Sequence, residues 1–198
     1  LRLPGLTLTW EAAAGVDCAI PIPPPGLDRV VLDALRERTA RPAGLDSPRG
    51  VAARAPPTAA IRSHAPGALA AAAAGLLGLG EGLTPSGDDC LVGALAVLHA
   101  VGHPALVCPL HAAGHPALDR VPTGLTAIAR AAAERTTAIG REFVIHALAG
   151  RFSEPVLALL RARSAREATS AVEQLAGFGA TSGADTLAGL RLACLLVA

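Results

Sequence analysis

The spacing of apolar residues along the chain predicts a mainly helical protein. From residue 65 onward, apolar positions recur every three or four residues, and glycine or proline marks most of the breaks between the runs. This period places the apolar side chains on one face of a helix. The pattern predicts helices over residues 67–77, 86–100, 123–149, 154–163, 165–176 and 182–197.

The first part of the chain has a different pattern. Residues 6–10 alternate between apolar and polar, and residues 16–22 are mostly apolar before a run of three prolines, so both are predicted to be short strands. Residues 26–40 have the spacing of an amphipathic helix. Residues 41–57 are rich in Pro, Gly and Arg, which is typical of an exposed linker.

These patterns together predict one α+β domain over residues 1–198, predominantly α-helical. Its expected parts are a short β and linker region with one helix over residues 1–57, and a helical core over residues 65–198. A chain of 198 residues is long enough for one well-built core. The apolar share is 52% and aromatic residues make up only 2%, so we expect a core of closely packed helices with few large rings.

Composition narrows the class of protein further. All 17 basic residues are Arg, and Lys, Asn, Tyr and Met are absent, which indicates a GC-rich bacterial genome. The net charge is +1 with no basic block, which argues against a nucleic-acid partner. The four cysteines (Cys18, Cys90, Cys108 and Cys194) are scattered, as expected of reduced thiols in a cytosolic protein.

Two weakly charged segments raise the question of a membrane. Residues 65–80 carry no charge but are shorter than the roughly 20 residues that a span needs. Residues 90–118 lack Asp, Glu and Arg but are interrupted by several His and Pro residues. No signal peptide is visible in the sequence. We therefore expect a cytoplasmic protein with no membrane partner.

The most informative motif is the glycine-rich segment of residues 78–89, G-L-G-E-G-L-T-P-S-G-D-D. It leads directly into an apolar helix, and the N-terminus of a helix offers unpaired N–H groups to an anion. Glycine allows the backbone to approach a ligand closely. Thr84 and Ser86 add hydroxyl groups, and Asp88 and Asp89 add carboxylates.

A second segment, residues 179–189, repeats the core of this motif. Both copies contain S-G-x-D-x-L-x-G, beginning at Ser86 and at Ser182. Gly93 and Gly189 lie within the two predicted helices, where glycine costs stability unless another backbone comes close. We expect the two helices to pack together and to bring both Ser-Gly starts to one cleft.

The acidic residues of the two copies admit several roles. Ser-x-x-Asp is also the pattern of a capping box, a purely structural device. If an anion is bound, Asp88, Asp89 and Asp185 must be compensated by Mg²⁺, act as a base with a raised pKa, or turn away into structural bonds. We favour an orienting or base role, which makes these three residues the catalytic candidates.

A third polar cluster lies inside the predicted helix of residues 123–149. Adjacent threonines form helices poorly, so Thr136 and Thr137 indicate polar contacts or a kink. Arg135 or Arg141 could clamp a carboxylate or phosphate, or could simply be solvated. The candidate anion-binding residues are therefore Gly80, Gly82, Thr84, Ser86, Gly87, Arg135, Thr136, Thr137, Ser182 and Gly183.

A group of histidines has the spacing of metal ligands but a poor context. It comprises His99, His103, Cys108, His111 and His115. Each pair with i, i+4 spacing is followed at once by proline, which pushes its second histidine out of the helix. We therefore predict loop histidines and no metal site.

The three polar segments together resemble those of the AllH family, whose named member is one component of the bacterial oxamate carbamoyltransferase system. The family pattern is a G-L-G-x-G-L-T-P-S-G-D-D block, a middle R-T-T-x-x-S segment and a late G-x-x-S-G-A-D-x-L-x-G block. Here these are residues 78–89, 135–150 and 179–189, with Gly140 at the place of the middle serine. The resemblance extends from about residue 76 onward.

This resemblance implies a subunit of a system that interconverts oxalurate plus phosphate with oxamate plus carbamoyl phosphate. It implies a small anionic substrate and partner subunits. Ser86 and Ser182 would bind phosphate and carboxylate groups, Thr84 would help to hold an oxyanion, and an aspartate would move the proton.

One alternative function is that of a non-catalytic anion-binding or assembly subunit. A second is a phosphohydrolase with Mg²⁺ on Asp88 and Asp89; otherwise no cofactor is expected.

Overall fold

The computed structural model describes residues 2–3, 6–7, 27–37, 44–46, 59, 62, 66–103 and 126–197, and these are predominantly helical, as predicted. The helices are α1 (Arg29–Glu37), α2 (Pro66–Leu76), α3 (Ser86–Ala100), α4 (Thr126–Arg135), α5 (Ala138–Leu148), α6 (Glu154–Arg161), α7 (Ala165–Ala176) and α8 (Ser182–Val197). A short 3-10 turn, Gly44–Asp46, lies between α1 and α2 in the sequence.

The predicted N-terminal β region is not supported. Among the residues described there are only two strands of two residues, β1 (Arg2–Leu3) and β2 (Leu6–Thr7), paired antiparallel. They form a minimal hairpin, which is too small to act as a sheet. The predicted strand over residues 16–22 lies outside the described residues, as does most of the predicted linker over residues 41–57.

Helices α3 and α8 form the centre of the molecule, and they pack with almost no space between their backbones. A β-carbon added at Gly93 would lie 2.0 Å from the carbonyl oxygen of Thr186, and one added at Gly189 would lie 1.8 Å from that of Cys90. No other residue type fits at either position. The predicted packing of the two motif-bearing helices is therefore confirmed.

The remaining helices surround this pair. Helices α5 and α6 pack on α3, α7 packs on α6 and α8, and α1 lies against α7 and α8. Leucine, valine and alanine form most of the core, and Leu95, Val97 and Leu98 of α3 are completely buried. A core of this composition depends on helices approaching closely, because few large side chains are present to fill gaps.

The predicted long helix over residues 123–149 is wrong in one respect, because the structure divides it. Helix α4 ends at Arg135 and α5 begins at Ala138. Thr137 is extended, and its hydroxyl accepts the N–H of Gly140 at 2.9 Å, so it caps α5. At the break, the side-chain cap takes the place of a backbone hydrogen bond. The spacing of apolar residues gives no sign of such a cap, so it could not predict the break.

Two further observations concern the whole chain. No described helix is both long enough and apolar enough to cross a bilayer. Cys90 and Cys194 are buried, and burial raises the pKa of the Cys194 thiol to about 12. Cys18 and Cys108 lie outside the described residues.

Candidate active site

The N-terminal turns of α3 and α8 lie side by side, and each supplies a serine to the other's aspartate. The hydroxyl of Ser182 lies against the carboxyl of Asp89, and that of Ser86 lies against the carboxyl of Asp185. The Thr84 and Ser182 hydroxyl oxygens are 3.0 Å apart. The two Ser-Gly starts therefore meet at one place, as the repeated motif indicates.

The capping-box interpretation is wrong for α3. The N-cap residue is Pro85, which makes no side-chain cap bond, and Ser86 is the first residue inside the helix. The serine hydroxyl turns away from its own helix and toward α8. The Ser-x-x-Asp spacing therefore serves a contact between two helices.

The glycines at the two starts allow the preceding loops to pack against the helices. A β-carbon at Gly87 would lie 1.9 Å from the carbonyl oxygen of Leu76, and one at Gly183 would lie 1.7 Å from that of Leu175. The N–H of Gly87 donates to Leu79 at 2.8 Å, and the N–H of Gly183 donates to Phe178 at 2.9 Å. These two amides already have protein partners.

The longer first loop needs glycine for a different reason. Gly80 and Gly82 have φ angles of 110° and 96°, a region that side chains rarely adopt. A β-carbon at Gly80 would also lie 2.9 Å from the amide nitrogen of Ser86, whereas one at Gly82 would meet nothing within 4 Å. Both residues shape the loop, and only Gly80 touches the helix start.

The carboxyl group of Asp88 connects the glycine loop to the segment between α4 and α5. Its Oδ1 accepts the N–H of Gly78 at 2.9 Å and its Oδ2 accepts the hydroxyl of Thr136. Burial raises its pKa, and the bonds from Thr136 and Gly78 oppose that rise. Both oxygens are thus occupied by donors, which leaves Asp88 poorly placed to ligate Mg²⁺.

The other polar residues of the middle segment are also engaged in structural contacts. Arg135 donates to the carbonyl oxygen of Ala74 at 2.8 Å, and the Thr137 hydroxyl donates to that of Leu83. Arg141 pairs with Glu142 at 3.1 Å. Residues at the break between α4 and α5 therefore hydrogen-bond both to α2 and to the glycine loop.

Asp185 is covered by the chain itself. Its side chain is 0% exposed, and its Oδ1 accepts the N–H of Leu45 at 3.3 Å. A β-carbon at Gly44 would lie 2.0 Å from the Ser86 hydroxyl oxygen, so the 3-10 turn sits directly on this Ser–Asp pair. Burial raises the pKa of Asp185, opposed first by Ser86 and then by the Leu45 amide.

Asp89 has the opposite situation, because it faces a cavity. It is 8% exposed, and its buried Oδ2 has no hydrogen-bond partner among the described residues. Burial raises its pKa to about 7; the hydroxyls of Ser182 and Thr84 oppose the rise, and the charges of Asp185 and Asp88 add to it. Such a carboxyl can donate or accept a proton near neutral pH.

The cavity beside Asp89 has a volume of about 660 Å³, within the usual range of small-molecule sites. It brings together hydroxyls, two basic side chains and three aromatic rings. Its lining includes Thr84, Ser182, Thr186, His146, Arg151, Phe143, Phe152 and Phe178. It therefore combines a carboxyl group, hydroxyls and basic groups with an apolar surface.

Several of these residues were missed by the sequence analysis. Phe143 and His146 lie on α5, and Arg151 lies in the turn after it, so packing of α5 and α6 on α3 brings them to Asp89. The sequence offered one sign of Arg151, the glycine that directly precedes it. In the structure this residue, Gly150, has a φ of 74° and forms the turn before Arg151. No motif marks the other two.

The histidines of the suspected metal group have other positions. His99 is in the last turn of α3, where its partly buried ring lies edge-on to Phe152 with ring centroids 5.8 Å apart. Desolvation lowers its pKa, and its ring contacts the cavity wall through Phe152. His103 is buried just beyond the helix. Cys108, His111 and His115 lie outside the described residues, and within the described part no three potential ligands form a metal-binding group.

Comparison with models of protein families identifies the family of this chain. A family model described as oxamate carbamoyltransferase subunit AllH matches residues 76–194, which is more than half of the chain. The matched region includes both Ser-Gly starts and the whole cavity lining. No solved structure matches the chain.

Proposed function

The chain belongs to the AllH family, and from this premise we propose that it binds the small anionic substrate of an oxamate carbamoyltransferase and moves the proton of the reaction. The observation that supports this most directly is Asp89, a buried carboxyl with a pKa of about 7 that faces a 660 Å³ cavity. The family description supports carbamoyl transfer, and the cavity beside Asp89 supports the location that we propose for it.

The proposed reaction needs one proton transfer that Asp89 is suited to make. Phosphate oxygen attacks the carbamoyl carbon of oxalurate, a C–O bond forms, and the C–N bond to the oxamate nitrogen breaks. Asp89 in its protonated form donates a proton to that leaving nitrogen. In the opposite direction, oxamate nitrogen attacks carbamoyl phosphate and gives its proton back to the Asp89 carboxylate as phosphate leaves.

The other polar groups of the cavity would hold the charges of the substrate. The guanidinium of Arg151 can bind a carboxylate or phosphate through two parallel N–H bonds. The hydroxyls of Thr84 and Ser182 lie at the Asp89 carboxyl, where they could donate to an oxyanion at the carbamoyl carbon. The substrate's anionic part would thus bind through Arg151 and these hydroxyls.

The test is carbamoyl transfer by the complex reconstituted from this chain and its partner subunits. We expect Asp89→Asn to lower kcat by about 100-fold or more, the usual loss when a general acid–base group is removed. Asp33→Asn removes an exposed carboxyl of α1 and should leave kcat unchanged. Full activity of the Asp89 variant would exclude the proposed proton transfer.

A second candidate, an assembly subunit without chemistry of its own, is favoured by one feature. Four large apolar side chains are exposed on or next to the elements that line the cavity: Leu83, Ile139, Phe143 and Phe178. Phe143 and Phe178 line the cavity itself, Leu83 precedes the lining residue Thr84, and Ile139 lies one turn before Phe143 on α5. We refer to them as the apolar rim. Exposed apolar clusters on soluble proteins often mark protein interfaces. A partner subunit seated on this rim would close the cavity from above.

A further inference from the structure

The two motif-bearing helices are related to each other by an approximate two-fold relation. A β-carbon at Gly93 would meet Thr186 and Leu190 of α8, and one at Gly189 would meet Cys90 and Ala94 of α3. Cys90 and Ala94 occupy the positions in α3 that Thr186 and Leu190 occupy in α8. The same contact is therefore made twice, once in each direction.

The Ser–Asp pairs follow the same relation. Asp89 lies against the serine of α8 and a threonine of its own preceding loop, Thr84. Asp185 lies against the serine of α3 and its own preceding Thr181. The molecule thus contains two equivalent carboxyl sites, one on each side of the helix pair.

Within the described part of the chain, a backbone segment covers one of the two sites and not the other. At Asp185, the turn Gly44–Asp46 donates the Leu45 N–H to Oδ1 at 3.3 Å, and the Leu45 side chain is 1% exposed. At Asp89, the hydrogen-bonding groups among the described residues are the hydroxyls of Ser182 and Thr84, with no backbone N–H, and a cavity adjoins the carboxyl. The Oδ2 atom has no partner among the described residues at either aspartate, so the backbone N–H is what distinguishes the two sites.

We infer that the cavity accepts, besides the oxamate-type substrate of the proposed function, a ligand that presents to Asp89 what Leu45 presents to Asp185: an amide N–H next to an apolar group. The chemical class is an N-acyl or ureido acid that carries an apolar substituent. The inference rests on the proposed function in one respect, because it takes this cavity as the substrate site. It adds that Asp89 recognises the amide N–H of the ligand.

The rest of the cavity fits such a ligand. Its volume far exceeds what a two-carbon amide acid needs, and Val92, Val156 and Leu175 join the three phenylalanines in its wall. An apolar substituent the size of a leucine side chain would be buried there. Arg151 lines the same cavity and would bind the ligand's carboxylate.

A pair of probes tests this with the full chain alone. One probe is N-acetyl-leucine, and the other is the acetyl ester of 2-hydroxy-4-methylpentanoic acid, in which an oxygen replaces the N–H. By titration calorimetry we expect the amide to bind at least about tenfold more tightly, because a hydrogen bond to a carboxylate is lost in the ester. Equal affinity of the two probes, or no binding of either, would overturn the inference.

Substitutions then locate the preference at Asp89. Asp89→Leu keeps the branched shape of the side chain and removes the acceptor, so the preference for the amide should disappear, whereas Asp33→Asn should retain it. Persistence of the preference in a folded Asp89→Leu protein would overturn the inference. The comparison of probes on the unsubstituted chain stands even if that variant does not fold.

The outcome is separable from that of the proposed function. Binding of the probes requires no partner subunit and no carbamoyl transfer. Transfer activity without an amide preference would reject this inference alone. An amide preference in a chain whose complex transfers no carbamoyl group would reject the proposed reaction and retain the ligand class.

Discussion

Three aspartates sit within one turn of the paired helix starts, yet their surroundings give them different roles. Asp88 accepts two strong donors, and Asp185 receives an amide from the chain's own turn. Asp89 is left with two hydroxyls and an open side toward the cavity. Burial acts on all three, so the hydrogen-bond donors available to each decide which one can exchange a proton with a ligand.

The raised pKa of Asp89 predicts how the stability of the protein changes with pH. Between about pH 4 and 7 the folded state keeps a proton on Asp89 that the unfolded state has lost, so the free energy of unfolding falls as pH rises through this window. Asp89→Asn cannot lose a proton. Relative to the unsubstituted protein, it should gain stability across this window, by at most about 4 kcal/mol at pH 8.

Urea denaturation of both proteins at pH 4 and pH 8 measures this difference. Asp88 and Asp185 also have raised pKa values, and His146 and Arg151 line the same cavity, but all four are present in both proteins. Their contributions largely cancel in the comparison. A stability difference that is the same at both pH values would show that Asp89 does not hold its proton in the folded state.

At the scale of the element, the contact between α3 and α8 makes a prediction about glycine. Gly93→Ala would place a methyl group 2.0 Å from a backbone oxygen, so the two helices must separate. We expect a loss of about 3 kcal/mol or more in the free energy of unfolding, the upper end for overpacking. Thermal or urea unfolding measures it directly.

Gly75→Ala is the matched control. Gly75 is also within a helix, α2, but a β-carbon there meets nothing within 4 Å. Alanine is a better helix former than glycine, so this variant should be neutral or more stable by up to about 1 kcal/mol. Similar losses in both variants would mean that helix propensity, and not the close contact, explains the effect at Gly93.

The elements also show how far the sequence can be used for prediction. The bounds of α3, α7 and α8 follow from apolar spacing and from glycine and proline at their ends, because these signals are local. The break at Thr136 and Thr137 does not, because it depends on a hydroxyl cap and on a bond to Asp88 in another helix. Sequence spacing contains no information about such a partner.

The candidate site divides in the same way. Asp89, Thr84 and Ser182 are found because they belong to a repeated motif. His146 and Arg151 are not found, since they reach the cavity only through the packing of α5 and α6 on α3. The motif also does not reveal that its two copies differ, because the turn Gly44–Asp46 that covers one of them is distant in sequence.

At the scale of the whole molecule, the apolar rim predicts where a partner subunit binds. Ile139 belongs to the rim but does not line the cavity, and it lies in the first turn of α5, where an acidic residue is tolerated. Ile139→Asp should therefore weaken association with the partner subunits about tenfold or more while α5 stays folded. Co-purification and sedimentation of the complex measure this effect.

Leu195→Asp is the control for the rim. Leu195 is equally an exposed apolar residue, but it lies near the far end of α8, about 20 Å along the helix from Ser182. Its substitution should leave the complex intact. Loss of the complex in both variants, or in neither, would remove the rim as the specific contact surface.

The pairing of α3 with α8 also sets the moment at which the cavity can form during protein synthesis. Thr84 and Ser182 are 98 residues apart, so a ribosome adding 5–20 residues per second makes the second helix start roughly 5–20 s after the first. Throughout that interval α3 has no partner for its glycine face. The nascent chain therefore presents an apolar helix to chaperones for several seconds, and a translational pause before α8 would lengthen that exposure.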